Sequence, residues 1–110
     1  MKKFISVLLL CIFLLGFSQP AFAVDLEAGA QLFKANCASC HALGSNRVVA
    51  AKTLKKAALE KYGMYSLDAI ITQIYKGKNA MPNFGKKLEA DDIENVASYV
   101  LAQAAAGWKK

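Results

Sequence analysis

Histidine is almost missing from this chain: of 110 residues, His41 is the only one. A structural zinc site draws on about four Cys or His ligands, and beyond the N-terminal apolar run the chain offers only three, Cys37, Cys40 and His41. No site can use a pair of imidazoles either. Cysteine is scarce too, with only Cys11, Cys37 and Cys40. Cys11 follows Leu10 inside an apolar run near the start and reads as filler. Cys37 and Cys40 are separated by two residues, so no long-range disulfide is available. Strand-like alternation, repeats and low-complexity tracts are absent. Without strands, the βαβ setting of a thioredoxin-type dithiol is missing. Basic and aromatic residues do not interleave in a stacking pattern, which argues against nucleic acid as a partner. The acidic residues are scattered, and no catalytic constellation is visible.

What is present begins with an export pattern. Lys2 and Lys3 precede the run "FISVLLLCIFLLGF" (4–17), and "SQPAFA" (18–23) ends with Ala21 and Ala23 at the small positions of a cleavage site. The run is shorter than the roughly 20 residues that span a bilayer. Residues 1–23 are therefore expected to be a cleaved signal peptide, with no membrane insertion afterwards. Residues 24–110 form one domain. The full chain has 14 basic and 8 acidic residues. Without Lys2 and Lys3 the excess is 12 over 8, a modest basic surplus that suits an acidic docking surface. A domain this small often needs a staple beyond its own core, and a disulfide is not available.

Helical periods dominate residues 24–110. "LEAGAQLFKANC" (26–37) puts Leu26, Ala30 and Phe33 on one face, with Gly29 beside them allowing a second backbone to approach. "NRVVAAKTL" (46–54) reads as loop. "LKKAALEKYG" (54–63) reads as a short helix stopped by Gly63. "SLDAIITQIYKG" (66–77) is a helix fenced by Ser66 and Gly77. "KNAMPNFGKK" (78–87), with Pro82 and Gly85, reads as loop. In "ADDIENVASYVLAQAA" (90–105), Ile93, Val96, Ala97, Val100, Leu101 and Ala104 step by three and four, the cleanest amphipathic pattern in the chain. Asp91 and Asp92 favour the positive N-terminal end of that helix. The fold class expected is all-α, with the first and last helices packed on each other.

The staple is suggested by "CASCH" (37–41). Two thiols about one helical turn apart can add to the two vinyl groups of a haem, and the histidine directly after is placed to bind the iron. A Cys-x-x-Cys pair also suits a redox dithiol or a metal knuckle, but the strands and extra ligands those need are missing. His41 then supplies one axial ligand. The second cannot be histidine, and thioether sulfur favours ferrous iron and raises the potential. Beyond Met1 the methionines are Met64 and Met81. Met81 lies in a loop stiffened by Pro82, 40 residues beyond His41. Met64, between Gly63 and Tyr65 at a helix end, reads as core filler. Iron held by His41 and Met81 has no open position, which points to one-electron transfer rather than an enzyme. Phe33, Tyr62, Phe84, Tyr99 and Trp108 read as packing. Lys76, Lys78, Lys86 and Lys87 flank the Met81 loop, either as a solvated rim or as a docking face.

Four stretches, "GAQLFKANCASCH", "KTLKKAALEKYGM", "DAIITQIYKGKNAMPNF" and "VASYVLAQAAAGW", together resemble the cytochrome c6 family over nearly all of residues 24–110. The resemblance implies a small class I cytochrome c fold, with about four helices around one covalently bound haem c. It implies thioether links at Cys37 and Cys40, with His41 and Met81 as axial iron ligands. It further implies a monomeric carrier taking electrons from cytochrome f of the b6f complex to photosystem I in the thylakoid lumen. The alternative is a periplasmic respiratory cytochrome c serving a terminal oxidase. Two positions depart from the family pattern. Lys87 stands where an arginine is common, a change that matters at a planar contact. Glu89 stands where a threonine often caps the last helix, and is a poorer cap.

Overall fold

Asp25 starts the first helix: its carboxylate accepts the Ala28 N–H at 3.0 Å. From there α1 runs Leu26–Asn36. The structure, a computed structural model, describes residues 24–109, and the expected signal peptide (1–23) lies outside the described residues. A single turn, α2, follows at Ala38–His41. Then come α3 (Lys56–Lys61), α4 (Leu67–Lys76) and α5 (Ala90–Ala106). Short 3-10 turns occupy Ala42–Gly44 and Phe84–Lys86. Among the described residues there is no strand, only one isolated bridge between Lys78 and Met81. The fold is all-α, as the periodicity requires, and no described helix is long and apolar enough to cross a membrane.

The helix boundaries follow local chemistry. The Ser66 hydroxyl accepts the Ala69 N–H at 3.2 Å and opens α4. Gly77 ends it with a left-handed φ of 69°, donating its N–H to Gln73 at 2.8 Å. At the start of α5, Glu89 proves better placed than its residue type suggests. Its N–H donates to Asp92 Oδ2 at 3.1 Å, so the acid three positions along completes the cap.

The frame is the crossing of α1 and α5. A Cβ added at Gly29 would sit 2.3 Å from the Asn95 carbonyl oxygen, so only glycine lets the two backbones approach this closely. The Asp25 N–H donates to Asn95 Oδ1 at 3.0 Å and pins the same corner. Inside the crossing, Phe33 packs on Tyr99 and Trp108, with ring centroids 5.4 and 5.2 Å away. Ile93, Val96, Ala97, Val100 and Ala104 of α5 are all buried. Burying a side chain such as Ile93 or Val96 stabilises by about 1.5–3 kcal/mol, and both are essentially sealed from solvent. Two residues of these apolar stripes are less covered than their neighbours. Leu101 is only partly buried, against the rim of the core. Leu26 is 47% exposed. It shares a face with Phe33 but lies about 10 Å away along the axis, at the exposed start of α1.

Candidate functional site

Cys37 closes one helix and opens the next. Its N–H donates to the Phe33 carbonyl at 2.8 Å, while its own carbonyl accepts from Cys40 at 3.1 Å and from His41 at 2.9 Å. That single tight turn gathers Cys37, Cys40 and His41 onto one cavity of about 480 Å³. Apolar side chains from every longer helix line it, including Phe33, Leu59, Ile70, Ile74 and Val100. The Met81 loop closes it, with Pro82 and Phe84 beside Met81. All four residues singled out in the sequence therefore face the same space. Met64 lines it as well, half-buried against the core.

His41 is held in one orientation. Its Nδ1 lies 2.9 Å from the Ser45 carbonyl oxygen. A carbonyl only accepts, so Nδ1 carries the proton and Nε2 is left with a lone pair for a metal. The Met81 loop is equally defined. Lys78 and Met81 exchange two backbone hydrogen bonds, each 3.0 Å. Behind them a Cβ at Gly77 would lie 2.6 Å from the Met81 and Pro82 carbonyl oxygens, so this glycine lets the loop fold back on α4. The Gln73 side-chain amide donates to Met81 Sδ at 3.7 Å.

Burial pushes the Cys37 thiol up to about 11, with Lys87 pulling the other way. A thiol held that high stays protonated at neutral pH. Redox dithiols depend on a lowered thiol pKa, so this environment does not suit that alternative. The aromatic residues divide between two jobs. Phe84 and Trp108 are buried, whereas Tyr62 is 41% exposed and borders the cavity. Lys52 and Lys61 both lie over the Tyr62 ring, 5.4 and 5.5 Å from its centre. Lys76, Lys78, Lys86 and Lys87 are all exposed, and Lys87 lies 6.0 Å above the Phe84 ring.

Sequence reading missed three supports of this site, the first being the Ser45 carbonyl, which no residue type marks in advance. Gln73 is a polar residue three positions after Ile70, on the inward stripe of α4, and that misfit was the available signal. Asn46 organises the 46–52 loop: its side chain accepts the Val48 and Val49 N–H groups at 2.9 and 2.8 Å and donates to Lys52 at 2.8 Å. An Asx turn of this kind is suggested by "SNR" but not fixed by it.

The cavity fits a haem. Two thiols and an imidazole come from one turn, a thioether comes from a separate loop, and the lining between them is mostly apolar. Comparison with known proteins agrees. The family described as "Cytochrome C oxidase, cbb3-type, subunit III" matches residues 24–100. The chain is 59% identical to cytochrome c6 of Nostoc sp. (strain PCC 7120), with 99% of this chain and 100% of that one covered. It is 52% identical to cytochrome c6 of Pyropia yezoensis, covering 98% and 100%. Among solved structures, cytochrome c6 of the diatom Phaeodactylum tricornutum is 53% identical with a TM-score of 0.75, covering 76% of this chain and 99% of that one.

Proposed function

The chain belongs to the cytochrome c6 family, c-type cytochromes that carry electrons, and from that premise we propose that it is a one-electron shuttle with one covalently bound haem c. Cys37 and Cys40 would hold the haem through thioether links, and His41 and Met81 would ligate its iron. The observation that carries this is the convergence of all four side chains on a single, mostly apolar cavity. The haem supplies ferric–ferrous exchange, and a His/Met pair holds its potential high. The protein's own residues do the rest. Ser45 keeps the His41 proton on Nδ1, Gln73 holds the Met81 sulfur, and Leu59, Ile70 and Ile74 exclude water. With His41 and Met81 both on the iron, no position would be open for a substrate, which fits a carrier and not an enzyme.

Its donor is cytochrome f of the b6f complex and its acceptor is photosystem I, in the thylakoid lumen. The exposed lysines beside the Met81 loop support an acidic docking partner. A second reading, delivery to a terminal oxidase in the periplasm, is favoured by the description of the matching family, which names an oxidase subunit. The two readings share the same closed iron. Adding carbon monoxide to the ferrous, haem-loaded protein tests that closure. The absorption spectrum is expected to stay unchanged at neutral pH. Prompt, stoichiometric binding would show an exchangeable site and favour a sensor or enzyme.

A further inference from the structure

The Ser45 carbonyl oxygen that holds the His41 proton sits on an exposed residue, between a 3-10 turn and an irregular loop. A carbonyl in such a place is free to swing unless the backbone leading into it is gripped. The grip comes from the far end of the chain. Gly44 is buried with φ +79°, and a Cβ there would lie 2.5 Å from the Trp108 ring. The indole therefore presses directly on the Gly44 backbone. The same indole donates Nε1–H to the Leu54 carbonyl at 2.9 Å. Leu54 in turn donates its N–H to the Gly44 carbonyl at 2.7 Å. Gly44 is thus fixed by the ring on one side and by a hydrogen bond, itself anchored by the ring, on the other.

The chain goes to some length to put tryptophan there. After α5, Trp108 donates its N–H to Gln103 at 2.8 Å and Gly107 to Ala104 at 3.3 Å, which turns the chain back on itself. Trp108 then takes a φ of 56°, a left-handed conformation that bulky residues rarely adopt. We propose that Trp108 is a positioning residue for the iron ligand: by fixing Gly44 it places the next residue, Ser45, whose carbonyl holds the His41 imidazole in orientation. This rests on the reading of His41 as iron ligand. A carbonyl accepting from Nδ1–H makes an imidazole a stronger donor to its metal, which favours the ferric state. A loosened Ser45 carbonyl would weaken that donation and raise the potential.

The test uses the haem-loaded protein and Trp108→Phe, which keeps an aromatic ring over Gly44 and deletes the N–H. Proton NMR of the ferric protein first identifies the shifted His41 ring signals. Their absence would overturn the ligand reading, and this inference with it. With those signals present, the His41 Nδ1 proton in the variant is expected to exchange with solvent on the order of tenfold faster, the scale of one lost hydrogen bond, and the reduction potential to rise. Ile93→Val, in the core of α5, is the control for general loosening, and its potential should stay unchanged. If Trp108→Phe leaves both exchange and potential unchanged, or if Ile93→Val shifts them as much, Trp108 only packs. Should Trp108→Phe fail to fold, the indole can be replaced by benzothiophene, which keeps the shape and removes the donor. Trp108 is the sole tryptophan, so that replacement is site-specific, and the same outcomes decide.

Discussion

Two methionines border the cavity, and the account depends on which one carries the iron. Met81 is held on both sides, by the Lys78 backbone pairing and by Gln73. Met64 has a backbone tie to Leu59 at 2.7 Å, and its side chain packs against the core. Met81→Ala is therefore expected to leave the haem attached through its thioethers while removing the weak near-infrared sulfur-to-iron band of the ferric protein. The potential should fall as well, because thioether sulfur stabilises ferrous iron. Met64→Ala should leave the band in place, and the opposite pattern would exchange their roles. Gln73 allows a finer prediction. Its amide directs a positive N–H end towards the sulfur, and so against the extra charge of ferric iron. Gln73→Leu should lower the potential by roughly a few tens of mV, the scale of one neutral hydrogen bond. Voltammetry of the variant beside the parent protein measures this, and a rise in potential would contradict the role given to the amide.

Among the described helices, the most extensive contact is α1 against α5. Gly29→Ala would drive a methyl group to 2.3 Å from the Asn95 carbonyl, a backbone atom that cannot simply rotate away. Strain of this kind costs about 1–3 kcal/mol, enough to lower the melting temperature of so small a domain by several degrees. Thermal unfolding followed by circular dichroism tests this, and an unchanged melting temperature would mean the helices part without cost. The crossing itself was legible in the sequence, because the stripe of Ile93, Val96, Val100 and Ala104 and the glycine opposite it are local patterns. Ser66 and Gly77 were legible for the same reason. Leu26 misled because periodicity reports a face but not how far along the helix a partner reaches. The Trp108 contact with Leu54 was not legible at all, since it joins residues 54 positions apart. Glu89 was judged by its own propensity, whereas Asp92 completed its cap. The motif at Cys37, Cys40 and His41 was readable because one turn holds it; the Ser45 carbonyl was not, because the fold brings it there, and Gln73 showed only as a polar misfit whose partner the fold supplies.

The molecule as a whole is unevenly charged. Asp25, Glu27, Glu89, Asp91, Asp92 and Glu94 are six of its eight acidic residues, and they lie at the starts of α1 and α5, which the Asp25–Asn95 hydrogen bond holds together. The exposed lysines at 76, 78, 86 and 87 lie around the Met81 loop instead. A basic rim near the redox centre speeds encounter with an acidic partner, and salt screens that attraction over roughly 8–10 Å at physiological strength. Lys86→Glu combined with Lys87→Glu should slow the second-order rate at low salt and change the first-order step inside the complex much less. A double variant as fast as the parent at low salt would make these lysines ordinary solvated surface. The most direct test of the whole account is flash-induced oxidation of photosystem I in the presence of the reduced, haem-loaded protein. Re-reduction is expected to accelerate in proportion to protein concentration and to slow as ionic strength rises. Re-reduction indifferent to the protein at every concentration would contradict the proposal that it delivers electrons to photosystem I.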